Sequence, residues 1–302
     1  MSDASPDPRR AVRHGTGLSV ASIASVQFGA AVAAELFPRV GPLGTVTLRL
    51  LGASLVLLAL TRPWRRGWTR RDLAASALFG AVFTGMNASL YLAIDRLPLA
   101  TVVTLEFLGP LGVAIATAAT WRTRVWAVPA AAGVVLLGGS LTGRDLLGVV
   151  FALLAAACWA TYIVLSGRIG RTGSGMAGLA LASVFGTIVM VPIGVLTAGE
   201  SLVRPSTLII GLAVGVLSSA IPYSLDLLAL RRIPTAVFGV LTSLNPAVAA
   251  LAGLVVLGQH LAGRQFGGVG LVMLASVGVT LSSAIRRNPP SSHPLVVAAD
   301  VS

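Results

Sequence analysis

Long apolar runs alternate with short polar gaps along almost the whole chain. Ten runs of 18 to 24 residues are marked, at 16–36, 41–61, 72–94, 98–119, 124–141, 146–167, 175–197, 206–229, 234–257 and 264–285. As a helix rising 1.5 Å per residue, each can cross a hydrocarbon core of about 30 Å. The gaps are too short to hold a water-soluble domain. Residues 1–15 and 286–302 are expected to be cytoplasmic tails. The first run follows Arg9, Arg10 and Arg13, as the core of a signal peptide would. It is too long for that and, through Ser19, Ser22, Ser25 and Gln27, too polar, so it is read as an uncleaved first helix.

Composition narrows the class. Of 302 residues, 55% are hydrophobic and 11% charged, against the roughly 25% charged of a soluble domain. A soluble enzyme, a coiled coil and a disordered chain are excluded. The net charge of +12 comes from arginine alone, since the chain has no lysine. These arginines fall in the gaps, where they mark topology rather than a nucleic-acid face. With the N-terminus inside, the inner segments hold 16 arginines and the outer loops 5, with Arg49 inside a run. The positive-inside rule therefore predicts both termini in the cytoplasm. Cys158 is the sole cysteine, so neither an intrachain disulfide nor a CxxC metal site is possible. No GxxxxGK[ST] loop, Ser/His/Asp set or metal-ligand cluster lies in the runs. No cofactor, no metal and no enzymatic activity are expected.

A shift of 136 residues aligns 91–115 with 227–251 without a gap. Nine of 25 positions are identical, with Pro98 on Pro234 and Pro110 on Pro246. The chain thus divides into two units of five helices, 16–141 and 146–285. An odd number of spans forces the second unit to insert upside down. Inverted repeats mark secondary transporters, whose solute site lies near the midplane between the repeats.

Six stretches carry a family resemblance: ELFPRVGPLGTVTLRL (35–50), GMNASLYLAIDRLPL (85–99), LEFLGPL (105–111), CWATYIVLSG (158–167), VPIGVLTAGESL (191–202) and IPYSLDLLALRRIPTAVFGVLTSLNPAVAALAG (221–253). In this order and spacing they resemble the paired EamA repeats of the drug/metabolite transporter superfamily, and most closely its bacterial inner-membrane threonine/homoserine exporters. The resemblance implies an all-α polytopic membrane protein of ten transmembrane helices in two inverted five-helix EamA-type repeats. It implies proton-driven export of small amino acids by alternating access, with the amino acid, protons and the lipid bilayer as the only partners. The alternatives are another metabolite or a drug-like cation as cargo, or a non-transporting helper subunit. Two positions depart from the family. Gln259 and His260 stand in an outer loop where EamA proteins commonly carry a glutamate, and Asn245 replaces a glutamate expected before Pro246.

Charges inside hydrocarbon are functional candidates by default. Glu35 is read as interfacial. Arg49 and Glu106 each lie eight residues past a helix start, both about 12 Å deep. Equal depth permits a mutual ion pair, either static or exchanging partners with a substrate ammonium, a substrate carboxylate or a proton. Pro110 removes the helix partner of the residue 106 carbonyl, and Pro246 does the same for Thr242. Both kinks fall near the midplane, where freed carbonyls are tolerated if they line a cavity. Asp226 follows the kink residue Pro222 by four residues. It is read either as an interfacial partner of Arg231 and Arg232 or as a cytoplasmic gate, and the exporters' PYSLE keeps an acid there. Asn87, Tyr91, Trp159, Tyr162, Tyr223, Thr242 and Asn245 are the expected cavity liners. Gly211/Gly215 and Gly263/Gly267 suit close helix packing.

Overall fold

Inside lipid a lone segment can satisfy its backbone only as a helix. The described residues, 8–138, 143–169 and 175–287, form helices and turns with no strand. In chain order the computed structural model has α1 (Pro8–Ala34), α2 (Phe37–Thr61), α3 (Arg70–Ile94), α4 (Leu99–Glu106), α5 (Leu108–Ala116), α6 (Trp121–Arg124) and α7 (Ala127–Gly138). The second half has α8 (Gly143–Ile169), α9 (Gly175–Ala198), α10 (Pro205–Gly215), α11 (Ile221–Leu230), α12 (Thr235–Thr242), α13 (Asn245–Leu257) and α14 (Gly263–Arg287). Spans four and nine are broken pairs, α4–α5 and α12–α13, and span eight is α10 and α11 joined through a wide π turn at Val216–Ala220.

Among the described residues nine helical segments are long and apolar enough to cross a membrane. The fifth predicted run, 124–141, appears as α7, whose 12 residues rise about 18 Å. Its last residues, and the tail positions 1–7 and 288–302, lie outside the described residues. α1 begins at Pro8, inside the stretch expected to be a tail, because proline is well placed in a first helical turn. The start of α3 is set by a capping box, in which Thr69 accepts from the Asp72 N–H and Asp72 from the Thr69 N–H.

The packing repeats itself when the two halves are exchanged. α2 packs on α9, α4 on α13 and α7 on α14, each joining a span to its own counterpart. The other main contacts come as mates. α3 on α8 answers α1 on α11, and α3 on α9 answers α2 on α10. α4 and α5 on α8 answer α13 and α12 on α1. Small residues permit the closest of these approaches. A Cβ at Gly215 would lie 2.8 Å from the Arg49 carbonyl, and one at Gly211 would press on Leu48. The second predicted glycine pair does not act this way: Gly263 has open space, and Gly267 only ordinary contact with Leu136. Gly268 takes that role, meeting Gly133 so closely that a Cβ on either would lie 2.8 Å from the other's carbonyl oxygen.

Candidate functional site

Where the halves meet, the fold leaves a cavity of about 480 Å³. Its walls come from spans 1, 2, 3, 4, 6, 8 and 9. Arg49, Asn87, Glu106, Pro110, Trp159, Tyr162, Pro222, Asp226, Thr242 and Asn245 all line it. Tyr91 and Pro246 do not. Tyr91 is fully buried behind the wall, and Pro246 is buried at the start of α13. The side chain of Tyr223 lies outside the described residues. Glu35 is exposed in the turn between α1 and α2.

Arg49 and Glu106 do not form the contact ion pair their equal depth permitted. An ion pair forms instead between Arg96 and Asp95, at 3.5 Å. Arg49 turns to other partners because the rotation of α2 offers it oxygens there. Its Nη1 donates to the Tyr91 hydroxyl at 3.0 Å, and its Nη2 to the Ser218 carbonyl at 3.4 Å. The guanidinium also lies 5.4 Å from the Tyr91 ring centroid, a cation–π distance. Its Nε is buried with no partner among the described residues. Glu106, though buried, has no hydrogen-bond donor and no ion-pair partner there, and it lies within reach of the charge on Arg49.

Three prolines each free one carbonyl, and the three carbonyls meet different fates. Pro222 frees Ser218, which accepts from Arg49. Pro246 frees Thr242, which accepts the Asn245 amide at 2.8 Å. Pro110 frees Glu106, but the residue matching Asn245 in the first half is Gly109, which has no side chain to offer. Gly109 must be glycine for another reason, since a Cβ there would run into the Ala156 carbonyl oxygen of α8. The Glu106 position thus combines a carboxylate and a proline-freed carbonyl at the cavity wall.

Asp226 is not paired with Arg231 or Arg232. It lines the cavity beside Ser22, whose hydroxyl donates to the Pro222 carbonyl at 3.3 Å, while Arg232 donates to the Leu228 carbonyl. Sequence reasoning missed Ser22, Gln27 and Ser218 as cavity residues. Gln27 donates to Asn245 Oδ1 at 2.7 Å, joining α1 to α13. The signal for the first two was present in the buried polar positions Ser19, Ser22 and Gln27 of an otherwise apolar helix. For Ser218 it was the proline four residues later. Two further polar atoms, Asn87 Oδ1 and Ser218 Oγ, are buried at the wall without partners among the described residues.

Comparison with known proteins now bears on this arrangement. Residues 146–281 match the EamA-like transporter family. The threonine/homoserine exporter RhtA of Escherichia coli K12 is 42% identical over 264 residues, 86% of this chain and 89% of the relative. The chain belongs to the EamA-like transporter family. RhtA of Salmonella typhimurium SL1344 is 41% identical over 271 residues, 89% of this chain and 91% of that one. An uncharacterized transporter of Clostridium kluyveri is 25% identical over 154 residues, half of this chain and 48% of the relative. One solved crystal structure superimposes with a TM-score of 0.59 at 18% identity, covering 90% of this chain and 99% of that one. At that identity the likeness shows the fold alone. In this EamA-family protein the cavity offers free hydrogen-bonding capacity of both kinds. Donors are spare at Arg49 and Ser218, and acceptors at Glu106 and Asn87.

Proposed function

We propose that this chain exports small neutral amino acids of the threonine and homoserine kind from the cytoplasm, by alternating access and in exchange for protons. The observation that carries the reading is a single cavity holding an arginine and a glutamate that do not neutralise each other in direct contact. A charge at the centre of a spanning helix costs about 2.5–3.5 kcal/mol on insertion scales. Two such charges kept apart fit a cargo that carries both signs. In this reading the substrate carboxylate docks on Arg49 Nε and Ser218 Oγ. The ammonium docks on the Glu106 carboxylate, its proline-freed carbonyl and Asn87 Oδ1. Glu106 is also the proton site: it holds a proton when the amino acid has left and releases it when the ammonium returns. Asp226 gates the cytoplasmic mouth. The relatives named threonine/homoserine exporters support the choice of cargo.

The proposal places the protein in the bacterial inner membrane with both termini cytoplasmic, and takes 16–141 and 146–285 as the two repeats. No enzymatic step enters it. Counterflow of labelled threonine, homoserine and an organic cation in proteoliposomes tests it, with and without a pH gradient. Threonine or homoserine flux that the gradient stimulates, and that Glu106→Gln makes insensitive to the gradient, is the expected result. Flux of the cation alone would overturn the amino-acid reading, and absence of any flux from folded protein would favour a helper subunit.

A further inference from the structure

The two halves are not packed alike. α4 and α12 are counterparts, each entered through a proline, Pro98 and Pro234. Every residue of α4 is buried, and none of α12 is. α4 is packed between α13 and α8, while α12 keeps an accessible surface.

The element that holds α4 comes from the other half of the chain. α13 ends at Leu257, and Gly258 caps it in the left-handed region, at φ +62°. The Gln259 N–H then returns to the Gly253 carbonyl at 3.0 Å, closing the turn. This turn aims the Gln259 side chain across the seam between the halves. There its Oε1 accepts the backbone N–H of Leu99 at 2.9 Å. Leu99 opens α4, and its N–H is one of those a helix start leaves without an internal partner. Pro98, the capping residue, has no side-chain oxygen to offer. Gly253 keeps the space clear, since a Cβ there would lie 2.8 Å from Gln259 Oε1. Among the described residues the first half shows no equivalent: α5 ends on Thr117 at φ −86°, and Thr123, which matches Gln259, bonds Thr120 of its own turn.

We propose that Gln259 is a positioning residue for transport, a latch that holds α4, and with it Glu106, in the closed arrangement against α13. The resting protein is shut at the α4 end and opens there only when this hydrogen bond breaks. The purpose of the latch rests on the transport reading, but its existence is tested without measuring flux.

The test uses full-length protein with Cys158→Ser, so that single cysteines can be placed on the two helices of the seam. Ala100→Cys on α4 and Ala252→Cys on α13 replace residues 1% and 0% exposed. Maleimide reaction rates are read in detergent micelles, where the reagent reaches both ends. Gln259→Met keeps the length and removes the acceptor. Both cysteines are expected to react about fivefold faster, the factor one neutral hydrogen bond contributes. Gln259→Glu keeps the acceptor and should stay within about twofold of the parent. Gly253→Ala displaces the amide with Gln259 intact, and should reproduce the acceleration if Gln259→Met fails to fold. Unchanged rates in both latch variants would overturn the proposal. So would acceleration at Ala100→Cys alone, which marks fraying of the first turn of α4, or a Gln259→Glu variant as fast as Gln259→Met. Failure of amino-acid counterflow with these rates as expected would sink the cargo and leave the latch standing.

Discussion

Replacing Tyr91 with phenylalanine removes one oxygen from behind the cavity wall and little else. The Tyr91 ring is fully buried and its centroid lies 5.7 Å from that of Phe37. Its hydroxyl takes the 3.0 Å hydrogen bond from Arg49 Nη1. Without it, the guanidinium keeps a longer bond to the Ser218 carbonyl, and its Nε is already unpartnered. A hydrogen bond to a charged group contributes about 1.5–3 kcal/mol, and a buried group has little water to take its place. Tyr91→Phe is therefore expected to lower stability by about 2 kcal/mol in unfolding measured in detergent. The cation–π contact survives, so Arg49 stays in place and its Nε stays free for a docking carboxylate. A ligand that binds only the folded state adds stability by mass action, so saturating threonine should stabilise the variant and the parent alike. A loss under about 0.5 kcal/mol, the range of an ordinary surface substitution, would refute the claim that Tyr91 holds Arg49. Threonine that stabilises neither protein would refute binding of the amino acid in this cavity.

Four further substitutions probe separate parts of the molecule. Asn245→Ala strips the Thr242 carbonyl and the Gln27 amide of their partners, and should cost about 1–3 kcal/mol in the same unfolding assay. Gly109→Ala forces a Cβ into the α8 backbone, whereas Gly112→Ala meets open space. The first should lower the yield of folded protein sharply and the second should leave it unchanged, both read by size-exclusion profile. Thr69→Ala breaks the capping box of α3, far from the cavity, and should cost about 1 kcal/mol of stability while leaving counterflow intact.

The spans and their pairing were legible because the bilayer writes them directly into the sequence. Its thickness sets run length, and insertion leaves its arginine count in the gaps. Proline spacing then exposed the repeat. The intramembrane charges were equally plain, since hydrocarbon makes every charge conspicuous. What stayed hidden was the choice of partner. Depth along a helix is a one-dimensional quantity, and it placed Arg49 level with Glu106. Partnering depends also on how each helix is rotated, and rotation is set by packing between α2, α3 and the π turn of span eight. Gln259 was hidden for a related reason. It looked only like a departure from an expected acid, because its partner Leu99 lies 160 residues away on the other half.

The rule that a proline frees the carbonyl four residues earlier was the most productive sequence argument, and its reach was greater than first used. Applied to Pro110 and Pro246 it located two kinks. Applied to Pro222 it also points to Ser218, the carbonyl that Arg49 takes. The three sites show how a duplicated fold becomes a directional one. The second half closes its freed carbonyls with Asn245 and with Arg49 from the first half, so both of those carbonyls have partners. The first half places Gly109 where an amide would stand, and leaves the Glu106 carbonyl without that amide beside an unpaired carboxylate. The same half is the one whose α4 is fully buried and receives the Gln259 hydrogen bond. The acceptors of Glu106 therefore sit on the element that the proposed latch holds. A cation or proton binding at Glu106 acts on α4 itself, which puts occupancy of the site and opening of the shut end on one helix.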